Sequence, residues 1–202
     1  MARRAYRAHK NADGPMGAQE PDKNWKQGNE KKPISILKWD YDENITIGTL
    51  NCWGLMKSGK REEIEHYMKK RNIKILVLQE TKINISCMEQ RKNYTFYFSG
   101  NPEIKNAAGE VNHYTHAGVG IVINNELLNY IREIEPINDR IMSITLGYTV
   151  PITIICNYSR TATEGHTFEQ KTEHYDKLEE TTKTHLNKGP TYTCGDFNAK
   201  LQ

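Results

Sequence analysis

The feature that most constrains this chain is the run Ile75-Leu76-Val77-Leu78, which is apolar at every position and stops at the polar pair Gln79-Glu80. A strand with one wet face alternates apolar and polar residues, so an unbroken run of this length reads as a strand covered on both faces. Before it lies Ile45 to Asn51, a second β-rich run ending in a polar residue, and between the two Lys60 to Arg71 carries Ile64, Tyr67 and Met68 on one helical face, with Ser58 as its expected cap. Strand, helix, strand makes a crossover unit with parallel strands. Asn51 and Glu80 then stand together at the carboxyl ends of neighbouring strands, where open α/β sheets carry their sites.

Further strands are expected at Tyr94 to Ser99 and Gly118 to Ile123. Ile141 to Leu146 and Ile152 to Asn157 read as an antiparallel pair, and the second delivers Tyr158 at its end. Thr167-Phe168-Glu169-Gln170 has the capping-box pattern, opening a helix to about Asn187 with Phe168, Tyr175, Leu178 and Leu186 on one stripe. Gly189-Pro190 ends that helix. The last strand leads into Gly195-Asp196-Phe197-Asn198, whose carboxylate and amide, two residues apart, leave the strand end on the same side.

The charge is unevenly spread. Residues 1 to 39 hold nine Lys/Arg against four Asp/Glu, more than the chain's whole net charge of +3, and few apolar side chains. Residues 1–40 therefore read as a disordered basic tail and 41–202 as one domain. Such a tail either keeps the protein soluble or holds a polyanion in salt-sensitive contact. No apolar run is long enough to span a bilayer, and the basic start has no apolar core behind it, so the expectation is an intracellular protein without a membrane partner. Cys52, Cys87, Cys156 and Cys194 lack the spacing of a metal site and read as reduced core residues. His113 and His116 have no third ligand nearby for zinc.

Two sets of residues could carry chemistry. Gly54 to Arg61 matches the Gly-rich part of a phosphate-binding loop, but Arg61 stands where a hydroxyl would ligate Mg²⁺. The Gly118 strand lacks the third glycine of a dinucleotide fingerprint, so no nucleotide cofactor is expected. The other set is Asn51, Glu80, Tyr158, Asp196 and Asn198, each at the end of a strand-like run. Two carboxylates, two amides and a phenol suit a hydrated divalent cation beside a phosphate, and phosphoester hydrolysis is the reaction such a site serves.

Taken in order, Thr49-Leu50-Asn51, Leu78-Gln79-Glu80-Thr81, Ala117 to Asn124, Asn157-Tyr158 and Gly195 to Ala199 resemble the motifs of the endonuclease/exonuclease/phosphatase family, over about residues 44 to 202. Within it, QETK, DRIMSITL (Asp139 to Leu146) and GDFNAK look most like the apurinic-endonuclease-like domains of non-LTR retrotransposons. The resemblance implies an α/β fold, a two-sheet β-sandwich flanked by helices, acting on DNA with Mg²⁺ or Mn²⁺ in the nucleus. It implies Glu80 as principal metal ligand with Asn51 beside it, Asp196 to orient or deprotonate water, and Asn198 and Tyr158 to hold the phosphate. Ser159-Arg160 replaces the Ala-Pro common after that tyrosine. The family's Ser-Asp-His motif does not occur before Gln202, so the last part of the second sheet is expected to be missing and activity impaired. The same resemblance also accommodates a small-molecule or lipid phosphodiesterase or phosphatase, and a catalytically dead nucleic-acid-binding remnant.

Overall fold

The computed structural model describes residues 45–101, 117–147, 150–160 and 167–199. The basic tail, most of the loop from Asn101 to Thr115 with its His113, and His116 lie outside these residues.

Among the described residues, nine strands form two sheets. The first holds β1 (Thr46–Asn51), β2 (Ile73–Gln79), β3 (Cys87–Gln90), β4 (Tyr94–Ser99) and β5 (Val119–Asn124) in the order β1-β2-β5-β4-β3. β1 and β2 run parallel, joined by α1 (Lys60–Lys70), and Asn51 lies in register with Gln79. The second sheet holds β6 (Ile131–Pro136), β7 (Ile141–Leu146), β8 (Ile152–Tyr158) and β9 (Thr191–Asp196), in chain order. β6, β7 and β8 are antiparallel, whereas β8 and β9 are parallel and joined by α2 (Phe168–Leu186).

The unbroken apolar run in β2 now has its cause. Ile75 and Val77 face the second sheet and pack with Ile121, Met142, Ile144 and Ile154. Leu76 and Leu78 face the other way, against Phe96, Phe98 and, on α1, Ile64 and Met68. Each face removes apolar surface from water, worth roughly 25 cal/mol per Å² buried. α2 covers the outer face of the second sheet, with Leu178 against Ile141 and Ile155.

Several expectations change. Gly59, not Ser58, caps α1, at φ 85° and with no side-chain hydrogen bond. Tyr67 is exposed and stacks with Arg71 rather than joining the core. The capping box at Thr167 and Gln170 is present, but the stripe drawn on α2 is not the one that packs. Phe168, Tyr175 and Leu186 are exposed, and the face turned inward is His174, Leu178, Thr181 and His185. This helix has too few apolar residues to mark its face, and hydrogen bonds bury the polar ones. At its far end His185 Nε2 meets Glu135 at 2.9 Å and Ser143 at 3.3 Å.

Sequence reading passes over β3, β6 and the 3₁₀ helix Asn125–Tyr130. Both strands are sheet edges and carry the charges or proline that edges tolerate, which hides them from a search for apolar runs. The loop that imitates a phosphate cradle is a structural clamp. Arg61 donates to the Leu55 carbonyl at 2.7 Å and to Glu89 at 2.8 Å, tying the start of α1 to β3.

Candidate active site

The carboxyl ends of β1, β2, β8 and β9 meet at one end of the sandwich, and four of the five candidate side chains meet there. Asn51 Nδ2 donates to Glu80 Oε1 at 2.8 Å and, more loosely, faces Asp196 Oδ2 at 3.5 Å. Tyr158 Oη donates to the same Glu80 oxygen at 3.0 Å. One oxygen of Glu80 is thus fixed by two neutral donors, while its other oxygen has no hydrogen bond among the described residues.

Asp196 is held from its own strand. Its Oδ1 accepts the Asn198 backbone N–H at 2.9 Å, the local turn that Asp favours where a strand closes. The Asn198 side chain turns instead to the Ser159 carbonyl, donating at 2.6 Å, and stands apart from the carboxylates. Asp196 and Asn198 therefore do not aim at one point from a straight strand; the chain bends between them, with Asn198 at φ 47°.

Local backbone strain is concentrated here. Of the five non-glycine residues with positive φ among those described, four, Trp53, Glu80, Lys82 and Asn198, lie in the loops at this end. Such conformations cost of order 1 to 3 kcal/mol each for ordinary side chains and persist only where the surroundings hold them. The surroundings are visible. Gly54 N–H donates to the Glu80 carbonyl at 2.7 Å and Leu55 N–H to the Thr81 carbonyl at 2.9 Å, while Thr81 and Lys82 donate to Gly118 and Ala117. A Cβ on Gly118 would stand 2.4 Å from Thr81 Oγ1, so the glycine lets β5 approach the Glu80 loop.

Gly195 does the same for Asp196. At φ 148° a Cβ there would stand 1.8 Å from the Asn157 carbonyl oxygen, so only glycine lets β9 lie this close to β8 just before the carboxylate. Ser159 N–H then donates to the Asp196 carbonyl at 2.8 Å.

Buried Arg140, Asn157, Ser159 and His174 surround Tyr158 and its backbone. The Arg140 guanidinium lies 4.9 Å from the centre of the Tyr158 ring, and the Arg140 carbonyl accepts the Tyr158 N–H at 2.8 Å. Behind the tyrosine, Asn157 Nδ2 donates to Ser159 Oγ at 2.9 Å, and Asn157 Oδ1 lies 2.9 Å from His174 Nε2. An amide oxygen only accepts, so His174 carries its proton on Nε2. Burial, aided by Arg140 and Arg160, lowers the His174 pKa from 6.5 to about 4 and keeps the ring neutral near pH 7. Sequence reading missed His174 and Arg140 as members of this end. Arg140 opening an otherwise apolar strand was the available signal; His174, on a mostly polar helix, gave none.

The donor set fits a hard divalent cation. Glu80 offers an unengaged oxygen and Asp196 a loosely engaged one, the one or two carboxylates that Mg²⁺ takes while keeping several waters. Asn51 faces both carboxylates with its Nδ2, and its Oδ1 accepts the Trp53 N–H at 3.3 Å, so its amide would have to turn to offer an oxygen. Among the described residues no cluster of three or more His, Cys, Asp or Glu could hold a metal, which leaves solvent or substrate to complete any coordination shell.

Comparison with solved structures places this architecture. The catalytic domain of Xenopus laevis APE2 superposes with a TM-score of 0.56 at 16% identity, covering 77% of this chain and 59% of that one. The chain has an endonuclease/exonuclease/phosphatase-like fold. An AP endonuclease from Archaeoglobus fulgidus (TM-score 0.48, 18% identity, 79% and 59% covered) and a 3′-5′ exonuclease from Neisseria meningitidis (0.49, 19%, 76% and 57%) are also similar. The chain spans less than two thirds of the length of these structures. No protein-family model and no curated protein sequence matches it. No helix among the described residues is long and apolar enough to cross a membrane.

Proposed function

We propose that this end of the sandwich is a phosphodiesterase site, that of a Mg²⁺- or Mn²⁺-dependent DNA endonuclease. The observation that carries the proposal is Glu80 Oε1 held by both Asn51 and Tyr158, with Asp196 across the same amide. A carboxylate whose one oxygen is locked and whose other is open suits a cation, and the second carboxylate suits a water.

In this reading Glu80 is the principal ligand of the cation and Asn51 sets the spacing between the two acids. When bound, the cation would supply Lewis-acid polarisation of the phosphate. Asp196 Oδ2, only loosely engaged at 3.5 Å, takes the proton of the attacking water. The water oxygen bonds to phosphorus, the bond from phosphorus to the 3′ oxygen breaks, and that oxygen takes a proton from solvent, leaving a 3′-hydroxyl and a 5′-phosphate. Tyr158 is kept polar end forward by Arg140 on its ring, and its hydroxyl follows the charge at Glu80. Asn198 spends one Nδ2 proton on Ser159 and keeps the other for a phosphate oxygen.

The strings QETK, DRIMSITL and GDFNAK favour a lineage with the endonuclease domains of non-LTR retrotransposons, and with it a nuclear protein. The basic excess in residues 1–40 suits added, sequence-independent contact with DNA.

The test is nicking of supercoiled plasmid with Mg²⁺ by the wild type, Glu80→Gln and Asp196→Asn. Nicking that falls at least about 100-fold in both variants supports the assignment. Equal nicking by all three overturns it. Hydrolysis of small phosphodiesters that needs Glu80, with DNA left intact, would move the site to the small-molecule reading.

A further inference from the structure

Trp53 is the most conspicuous side chain that the proposed chemistry leaves unused. It is 79% exposed, and its backbone sits at φ 53°, where a bulky residue is an outlier. Folding gains little from an indole here, since Asn or Gly would adopt this conformation with less strain and expose less apolar surface.

The loop drives it outward by construction. Cys52 before it and Leu55 after it are buried, and the backbone on both sides is bonded to the Gln79 to Thr81 segment. The Trp53 N–H donates to Asn51 Oδ1, on the same amide whose Nδ2 faces Glu80 and Asp196. One side chain therefore links the indole's backbone to the carboxylate pair. Next to it the stem of Lys82 crosses Gly54, its Cδ 3.2 Å from where a glycine Cβ would stand, and Lys82 makes no ion pair among the described residues. Met56, also exposed, continues the apolar rim.

An exposed indole in the loop that leaves Asn51, with a lysine stem packed on the residue after it, has the chemistry of a nucleotide grip at a phosphodiester site. An aromatic face stacks on a base of any sequence, and the ammonium pairs with a backbone phosphate. A base can offer its face only when it is out of the duplex stack. We propose that Trp53 is a stacking platform for an unpaired base next to the scissile phosphate, with Lys82 holding a neighbouring phosphate, so that the site prefers unpaired strands to intact duplex. This rests on the phosphodiesterase reading and adds to it the form of nucleic acid that the site selects.

The chain has three tryptophans, so Trp25→Phe and Trp39→Phe in the full 202-residue chain leave Trp53 as the sole indole. The probes are a short oligothymidylate, an abasic strand of the same length and a duplex of that length, titrated without divalent cation and followed by indole fluorescence and by anisotropy of a label on the strand. The oligothymidylate should quench Trp53 and bind more tightly than either comparator. Trp53→Asn should lower its affinity by about 10-fold, leave the abasic strand unaffected and keep or raise the melting temperature, with Trp53→Phe in between. Equal affinity for the base-bearing and abasic strands, without quenching, overturns the platform while leaving nucleic-acid binding intact. Failure to bind any of the three would overturn the nucleic-acid reading itself, and the platform with it.

Discussion

Gly195→Ala tests how the fold delivers Asp196. The added methyl would stand 1.8 Å from the Asn157 carbonyl oxygen and 2.8 Å from its carbon, both backbone atoms of β8, so no side-chain rotation relieves the contact. The residue must also hold φ 148°, outside the range of an L side chain. The strands must part near Asn157 and Tyr158, which are in register with Gly195 and Asp196. Backbone strain of about 1 to 3 kcal/mol, with one or two ladder hydrogen bonds at about 1 kcal/mol each, gives a loss of about 2 to 5 kcal/mol. Gly59→Ala is the control, because it too has a positive φ, 85°, but open space around its Cβ position, and should lose only about 1 kcal/mol. Urea unfolding followed by circular dichroism measures both. If Gly195→Ala loses no more than Gly59→Ala, the close approach of β9 to β8 is not what holds Asp196.

Tyr158→Phe removes a donor from Glu80 but keeps the ring under Arg140, so phosphodiester cleavage should fall about 10- to 100-fold with little change in stability; an unchanged rate would remove the hydroxyl from the site. His174 has a folded pKa below its unfolded one, so its contribution is complete above about pH 6.5 and is lost as pH falls towards about 4. Its size is at most about 3 kcal/mol, and His174→Asn should flatten that part of the stability profile; identical profiles for the two proteins would refute it. Burial pushes the Cys52 thiol up to about 11 and Cys156 up to about 12, so neither should react with a disulfide reagent in the native protein near about pH 8, and rapid labelling of Cys156 would mean that the two sheets separate readily.

Much of this arrangement was legible because apolar strands end in polar residues. Glu80 and Tyr158 end runs that are buried, and Asn51 and Asp196 close the partly exposed strands paired in parallel beside them, so the meeting of the four follows from strand order and register. The edge strands β3 and β6 were not legible, since an edge has one neighbour and tolerates Glu89, Arg132 and Pro136. The stripe drawn on α2 failed for a related reason: its inward face is held by His174 and His185 through hydrogen bonds, which leave no apolar period. Left-handed backbone at Trp53, Glu80 and Lys82 is invisible in residue types that normally avoid it; it comes from the bonds that tie these loops to each other and to Ala117 and Gly118.

The central claim is that Glu80 is the principal ligand of a divalent-cation site, and the direct measurement is calorimetric titration of Mg²⁺, with Mn²⁺ in parallel, into wild type and Glu80→Gln. The account predicts binding by the wild type that weakens by on the order of tenfold or more in Glu80→Gln, with the fold intact by circular dichroism. Equal affinity in the two proteins would contradict it.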